Sequence, residues 1–137
     1  FVRCVMKLKF TLTLDASVET VWGAIADWRS QGDWMLATRV DLVEDHAGVG
    51  TKIAAFTGAF PRRGWLGIWD LMEVKQWEPP LRCEVLHYGK WLRGVGHFEL
   101  QAIGPRQSRF TWSEELNGAL ASAIKSGAAC CQQRMIY

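Results

Sequence analysis

Asp70, His87 and Glu114 are the residues of this chain whose types fit acid–base chemistry, provided the fold brings them together. Burial tends to raise a carboxylate's pKa, whereas an adjacent imidazolium lowers it. A carboxylate–histidine–carboxylate trio beside a carbonyl or hydroxyl could therefore relay protons. The plainer reading is that Asp70 and Glu114 satisfy backbone or indole donors and orient a guest without reacting, because buried polar groups are generally paired. Other chemistries lack their residues. Cys4 and Cys83 stand alone and Cys130–Cys131 are adjacent, which is no metal-ligand spacing, so we expect reduced thiols, no metal and no cofactor. Gly48-Val49-Gly50 lacks the third glycine of a dinucleotide loop and reads as a hairpin turn, with His46 exposed beside it. Neither G-x-S-x-G nor H-E-x-x-H occurs.

The elements that must position the trio follow from periodicity. Residues 3–14 alternate, setting Met6, Leu8, Phe10, Leu12 and Leu14 on one face of a half-buried strand. The period then becomes helical through Val18, Val21, Trp22, Ile25 and Trp28, with Asp15 or Ser17 as N-cap. Ser30 and Asp33 have capping-box spacing for a second, short helix that carries Trp34 and Met35. Strand texture follows over 38–44, 51–57, 66–77, 81–90, 93–103 and 107–117, broken by turn residues such as Glu78-Pro79-Pro80 and Gly104-Pro105. Short connections imply an antiparallel meander. A final helix is expected over 119–137, with Leu120, Ile124, Cys131 and Met135 on one stripe.

Hairpin registers then place side chains. Centring the turns on Glu78-Pro79, Trp91-Leu92 and Pro105 pairs Val74 with Cys83, Met72 with Val85 and Asp70 with His87. The same step pairs His87 with Gly96, Val85 with Phe98, Phe98 with Trp112 and Gly96 with Glu114. The inward face is apolar except for one row of Asp70, His87, Gly96 and Glu114, where the glycine leaves room. Glu73, Lys75, Glu84, His97, Glu99 and Arg109 fall outward.

The 137 residues carry 49% hydrophobic and 22% charged residues and a net charge of +2, which fits one globular domain over 1–137 and excludes a disordered chain. That charge gives no reason to expect nucleic acid, and no apolar run is long enough to span a membrane. We expect a cytoplasmic monomer or homodimer. Eight tryptophans exceed what a small core requires. Trp22, Trp28 and Trp112 read as packing, Trp77 and Trp91 as strand ends, and Trp34, Trp65 and Trp69 as the rim of a cavity, where flat rigid rings suit a ring-shaped guest.

Ala16-Ser17-Val18-Glu19-Thr20-Val21-Trp22 with Asp27-Trp28, then Gly48-Val49-Gly50-Thr51, Trp77-Glu78-Pro79-Pro80, Gly94-Val95-Gly96-His97-Phe98 and Thr111-Trp112-Ser113-Glu114, resemble the SRPBCC superfamily. That group includes START-like lipid binders, birch-pollen-allergen-like proteins and polyketide cyclase/dehydrases. The resemblance implies an α+β helix-grip fold: a seven-stranded curved antiparallel sheet wrapped around a C-terminal helix, with two short helices after the first strand. The departure is at the end, where the family's closing helix is longer than 119–137 allows. Two functions fit. One is binding of a hydrophobic, aromatic or lipid-like small molecule between sheet and helix, through Trp34, Trp65, Trp69, Met72, Val85, Gly96, Phe98 and Trp112. The other is a cyclase/dehydrase-like enzyme in which Asp70, His87 and Glu114 are catalytic.

Overall fold

Alternating apolar residues, turn-forming breaks and one amphipathic segment near the start make a sheet with two helices set against it. A computed structural model describes residues 5–34, 38–60 and 65–117. The order is β1 (Met6–Leu14), α1 (Val18–Ala26), α2 (Gln31–Trp34), β2 (Thr38–Glu44), β3 (Lys52–Phe60), β4 (Trp65–Glu78), β5 (Arg82–Tyr88), β6 (Arg93–Gly104) and β7 (Gln107–Asn117). All seven strands form one antiparallel sheet in the order β1-β7-β6-β5-β4-β3-β2. The meander thus runs from β2 to β7, and β1 closes beside β7. The helix expected over 119–137, together with Met35, Cys4, Cys130 and Cys131, lies outside the described residues. Among the described residues no helix is long and apolar enough to cross a membrane.

Helix α1 starts at Ser17, whose side-chain oxygen accepts the Thr20 N–H, the N-cap role that satisfies an otherwise orphaned donor. Its buried stripe of Val18, Val21, Trp22 and Ile25 joins one core with Val74, Cys83, Leu100 and Phe110 from the sheet. The capping box expected at α2 is replaced by another turn. The Ser30 hydroxyl donates to the Asp27 carbonyl, and the Asp27 carboxylate accepts from the Ser30 N–H. Asp27 competes successfully because it is three residues upstream, the reach of a local side-chain turn.

Two other expectations change. Leu8, Phe10 and Leu12 of β1 are exposed although Met6, on the same face of this edge strand, is buried. Trp77 is no strand-end cap. A register shift between Val74 and Gln76 inserts one residue and flips the strand's alternation, so Trp77 pairs with Cys83 and turns inward against Trp22, 4.9 Å between ring centroids.

Gly94 lets β6 approach β7. Its φ is +141°, a backbone state that L side chains rarely adopt, and a Cβ there would collide with the Glu115 carbonyl oxygen. Gly94→Ala should cost about 2–4 kcal/mol, read as a lower urea midpoint with unchanged slope.

Candidate functional site

The sheet's concave face is set by period two: Asp70, Met72 and Val74 from β4, Val85 and His87 from β5, Phe98 from β6, and Trp112 and Glu114 from β7. The β6–β7 register follows the expectation, with Gly96 opposite Glu114 and Phe98 opposite Trp112. The other two hairpins are each displaced by two residues. Met72 faces His87 and Val74 faces Val85, while Val85 faces Gly96 and His87 faces Gly94. The β4–β5 turn is wider than one centred on Glu78-Pro79, since Glu78 pairs with Arg82 and its carbonyl accepts the Leu81 N–H. A two-residue slip keeps every side chain on its face, so the inward set survives while the row does not.

The trio meets diagonally. His87 Nδ1 lies 2.9 Å from both Asp70 oxygens, and its Nε2 lies 3.0 Å from Glu114 Oε2. The Trp112 indole N–H donates to Glu114 Oε1 at 2.7 Å, the indole donor that the plainer reading of Glu114 expects. Gly96 does not hold a space open for a guest. A Cβ there would lie 2.8 Å from both Glu114 oxygens, so the missing side chain is what admits the Glu114 carboxylate.

Side-chain exposure falls from 21% at Asp70 and 11% at Glu114 to 5% at His87. Burial alone would pull the His87 pKa down, but hydrogen bonds to Asp70 and Glu114, reinforced by their charges, push it up from 6.5 to about 9. His87 is therefore an imidazolium at neutral pH with both N–H groups given to carboxylates. It has no lone pair with which to act as a base. The residue types resemble those of a metal centre, yet they point at one another, and among the described residues no group of three or more such ligands is placed to hold an ion. Cys83 is inert: burial, helped by the Glu84 charge, pushes its thiol up to about 12.

A cavity of about 230 Å³ opens on this network. Met72, Val85, Phe98 and Trp112 line it, as do Asp70, His87 and Glu114. Trp69 does not. Trp69 is the neighbour of Asp70 within the strand already expected over 66–77, so alternation turns it away from the face that carries Asp70, and it packs instead against Phe56 and beneath the Arg39 guanidinium. The side chains of Trp34 and Trp65 lie outside the described residues. Gly96 is absent from the lining because Glu114 covers it. The sequence did not indicate Leu8, Gln31, Thr38, Val40, Ala55, Thr57, Leu92 and Leu116, and Trp28, expected only to pack, also lines the cavity. Alternation alone could have found Leu8, which shares a face with Met6; Gln31 and Leu92 sit at a helix start and a turn, where no periodicity reports direction.

No protein-family model matches the chain, and no curated protein does. Solved structures match its fold. A START superfamily protein from Mycobacterium smegmatis superposes with a TM-score of 0.72 at 12% identity, covering 95% of this chain and 91% of that one. The Zhui aromatase/cyclase from Streptomyces sp. R1128 gives 0.71 at 12% identity, over 85% and 70% of the two chains. Norcoclaurine synthase from Thalictrum flavum, in complex with dopamine and hydroxybenzaldehyde, gives 0.63 at 13%, over 85% and 71%. The seven-stranded antiparallel sheet is thus the one shared by START-like and SRPBCC-type structures, and the likeness at these identities concerns the fold.

Two outcomes test the network. The His87 imidazole should titrate near pH 9 by NMR. Because its folded pKa is raised, its stabilisation is whole below about pH 6.5 and is lost as pH rises through about 9. His87→Ala, which leaves two carboxylates without their shared cation, should cost about 3–5 kcal/mol at pH 6, and the gap from the unsubstituted protein should shrink above pH 9.

Proposed function

We propose that this protein binds a compact hydrophobic small molecule, ring-shaped rather than long-chained, in the cavity on the concave face of its sheet. The observation that carries the reading is an apolar cavity whose polar groups converge on one patch, the usual build of a small-molecule site. Its size favours a small guest: about 230 Å³ is below the ~300–1,000 Å³ typical of drug-sized ligands. The aromatic wall of Trp28, Phe98 and Trp112 suits a flat ring. Two fold neighbours are consistent with such a guest, one named an aromatase/cyclase and the other holding dopamine and hydroxybenzaldehyde. Monomer or homodimer and a cytoplasmic location remain part of the proposal.

The cyclase/dehydrase-like alternative is favoured by one feature, the partly exposed Asp70 carboxylate at the cavity wall. In that reading Asp70 and Glu114 are the proton acceptors, and His87 is a positioning residue that holds both. Fold alone does not choose, since one architecture hosts many activities. A short poly-ketone that emerges cyclised, with product lost in Asp70→Asn but binding retained, would select the enzyme.

For the binding reading, naphthalene should quench tryptophan fluorescence saturably, and native mass spectrometry should show one molecule bound. Met72→Trp, which fills the cavity, should weaken that binding at least about tenfold, or 1.4 kcal/mol. Absence of any saturable binding to the unsubstituted chain would overturn the reading.

A further inference from the structure

The polar patch of the cavity is rich in acceptors and has spent its ring donors. His87 gives one N–H to the two Asp70 oxygens and the other to Glu114 Oε2. The Trp112 indole N–H goes to Glu114 Oε1, and Gln31 Nε2 donates to the Ile25 carbonyl at 2.9 Å. The lining hydroxyls of Thr38 and Thr57 lie 3.2 Å apart and bond to each other. Acceptors are in surplus. A carboxylate oxygen takes about two hydrogen bonds, yet the two Asp70 oxygens share a single N–H. Asp70 is also the member of the trio most open to the cavity, at 21% side-chain exposure.

Charge points the same way. Two carboxylates face one imidazolium, and among the described residues no lysine or arginine lines the cavity. An anionic guest would meet a net negative wall, whereas a guest's O–H or N–H would find a carboxylate acceptor waiting.

We propose that the cavity selects aromatic guests that carry a hydrogen-bond donor, a phenol or an aryl amine, which donates to Asp70, and that it rejects the corresponding aryl carboxylates. This rests on the cavity being a ligand site. Selectivity of this kind is strong because a plain hydrocarbon that displaces water leaves the carboxylate unpaired, and a second anion is opposed by its charge.

Three probes of one shape separate the possibilities: naphthalene, 2-naphthol and 2-naphthoate, each titrated at pH 7 into the whole protein. 2-Naphthol should bind at least about tenfold tighter than naphthalene, and 2-naphthoate at least about a hundredfold weaker than 2-naphthol. Asp70→Asn, whose amide supplies a donor, should bring naphthol to within about threefold of naphthalene and strengthen naphthoate. A near-ultraviolet circular dichroism spectrum matching the unsubstituted protein shows that this variant is folded; if it is not, the ranking of the three probes on the unsubstituted protein decides alone. Naphthoate binding as tightly as naphthol to the unsubstituted protein overturns the donor selectivity while leaving the cavity a binding site. Failure of all three probes to bind overturns the binding reading itself.

Discussion

A histidine buried to 5% exposure and charged at neutral pH is tolerable only if both its N–H groups are met by anions, and that requirement reaches through most of the sheet. Asp70 on β4 and Glu114 on β7 are strands apart, so His87 on β5 bridges them only while three hairpin registers hold. Glu114 reaches inward over a position where Gly96 has no side chain, and its second oxygen is steadied by the Trp112 indole. Gly94, directly opposite His87, allows β6 and β7 to close up beneath the network. Each feature is separable in sequence and interdependent in space.

That clamp shapes what the cavity can do. A histidine with a free ring nitrogen would be the natural base of an acid–base site. Here the imidazolium is committed on both sides, which moves any reactivity to the carboxylates and makes His87 the part that holds them in place. The surrounding aromatic and aliphatic wall supplies affinity without direction, and the single polar patch supplies direction. This division of labour suits the retention of a small guest, and it leaves the carboxylates available for chemistry if the guest presents a suitable proton.

Much of this was legible from spacing. The order of elements along the chain, an α1 cap at Asp15 or Ser17, the β6–β7 register and the inward placement of Asp70, His87 and Glu114 all follow from period and turn residues. The β4–β5 and β5–β6 registers were each displaced by two, because turn residues locate a hairpin more loosely than they fix its centre. The error was benign for a physical reason: an even slip conserves the face. Where the shift is odd, at the bulge after Val74, alternation changes face, and Trp77 packs partly buried against the core. Trp69 lies inside the strand expected over 66–77 beside Asp70, so the alternation that turns Asp70 inward already turns Trp69 outward, and a place on the cavity rim conflicts with it.

The pattern of side-chain types was enough to say that this chain builds an antiparallel sheet with an apolar concave face carrying two acids and a histidine, because strand alternation is a local property. It could not say that His87 would face Met72 instead of Asp70 and bridge the carboxylates on the diagonal, or that Glu114 would occupy the room left by Gly96. Those outcomes depend on the width of turns, one bulge and the close approach of neighbouring strands, and such distances exist only once the whole sheet is assembled.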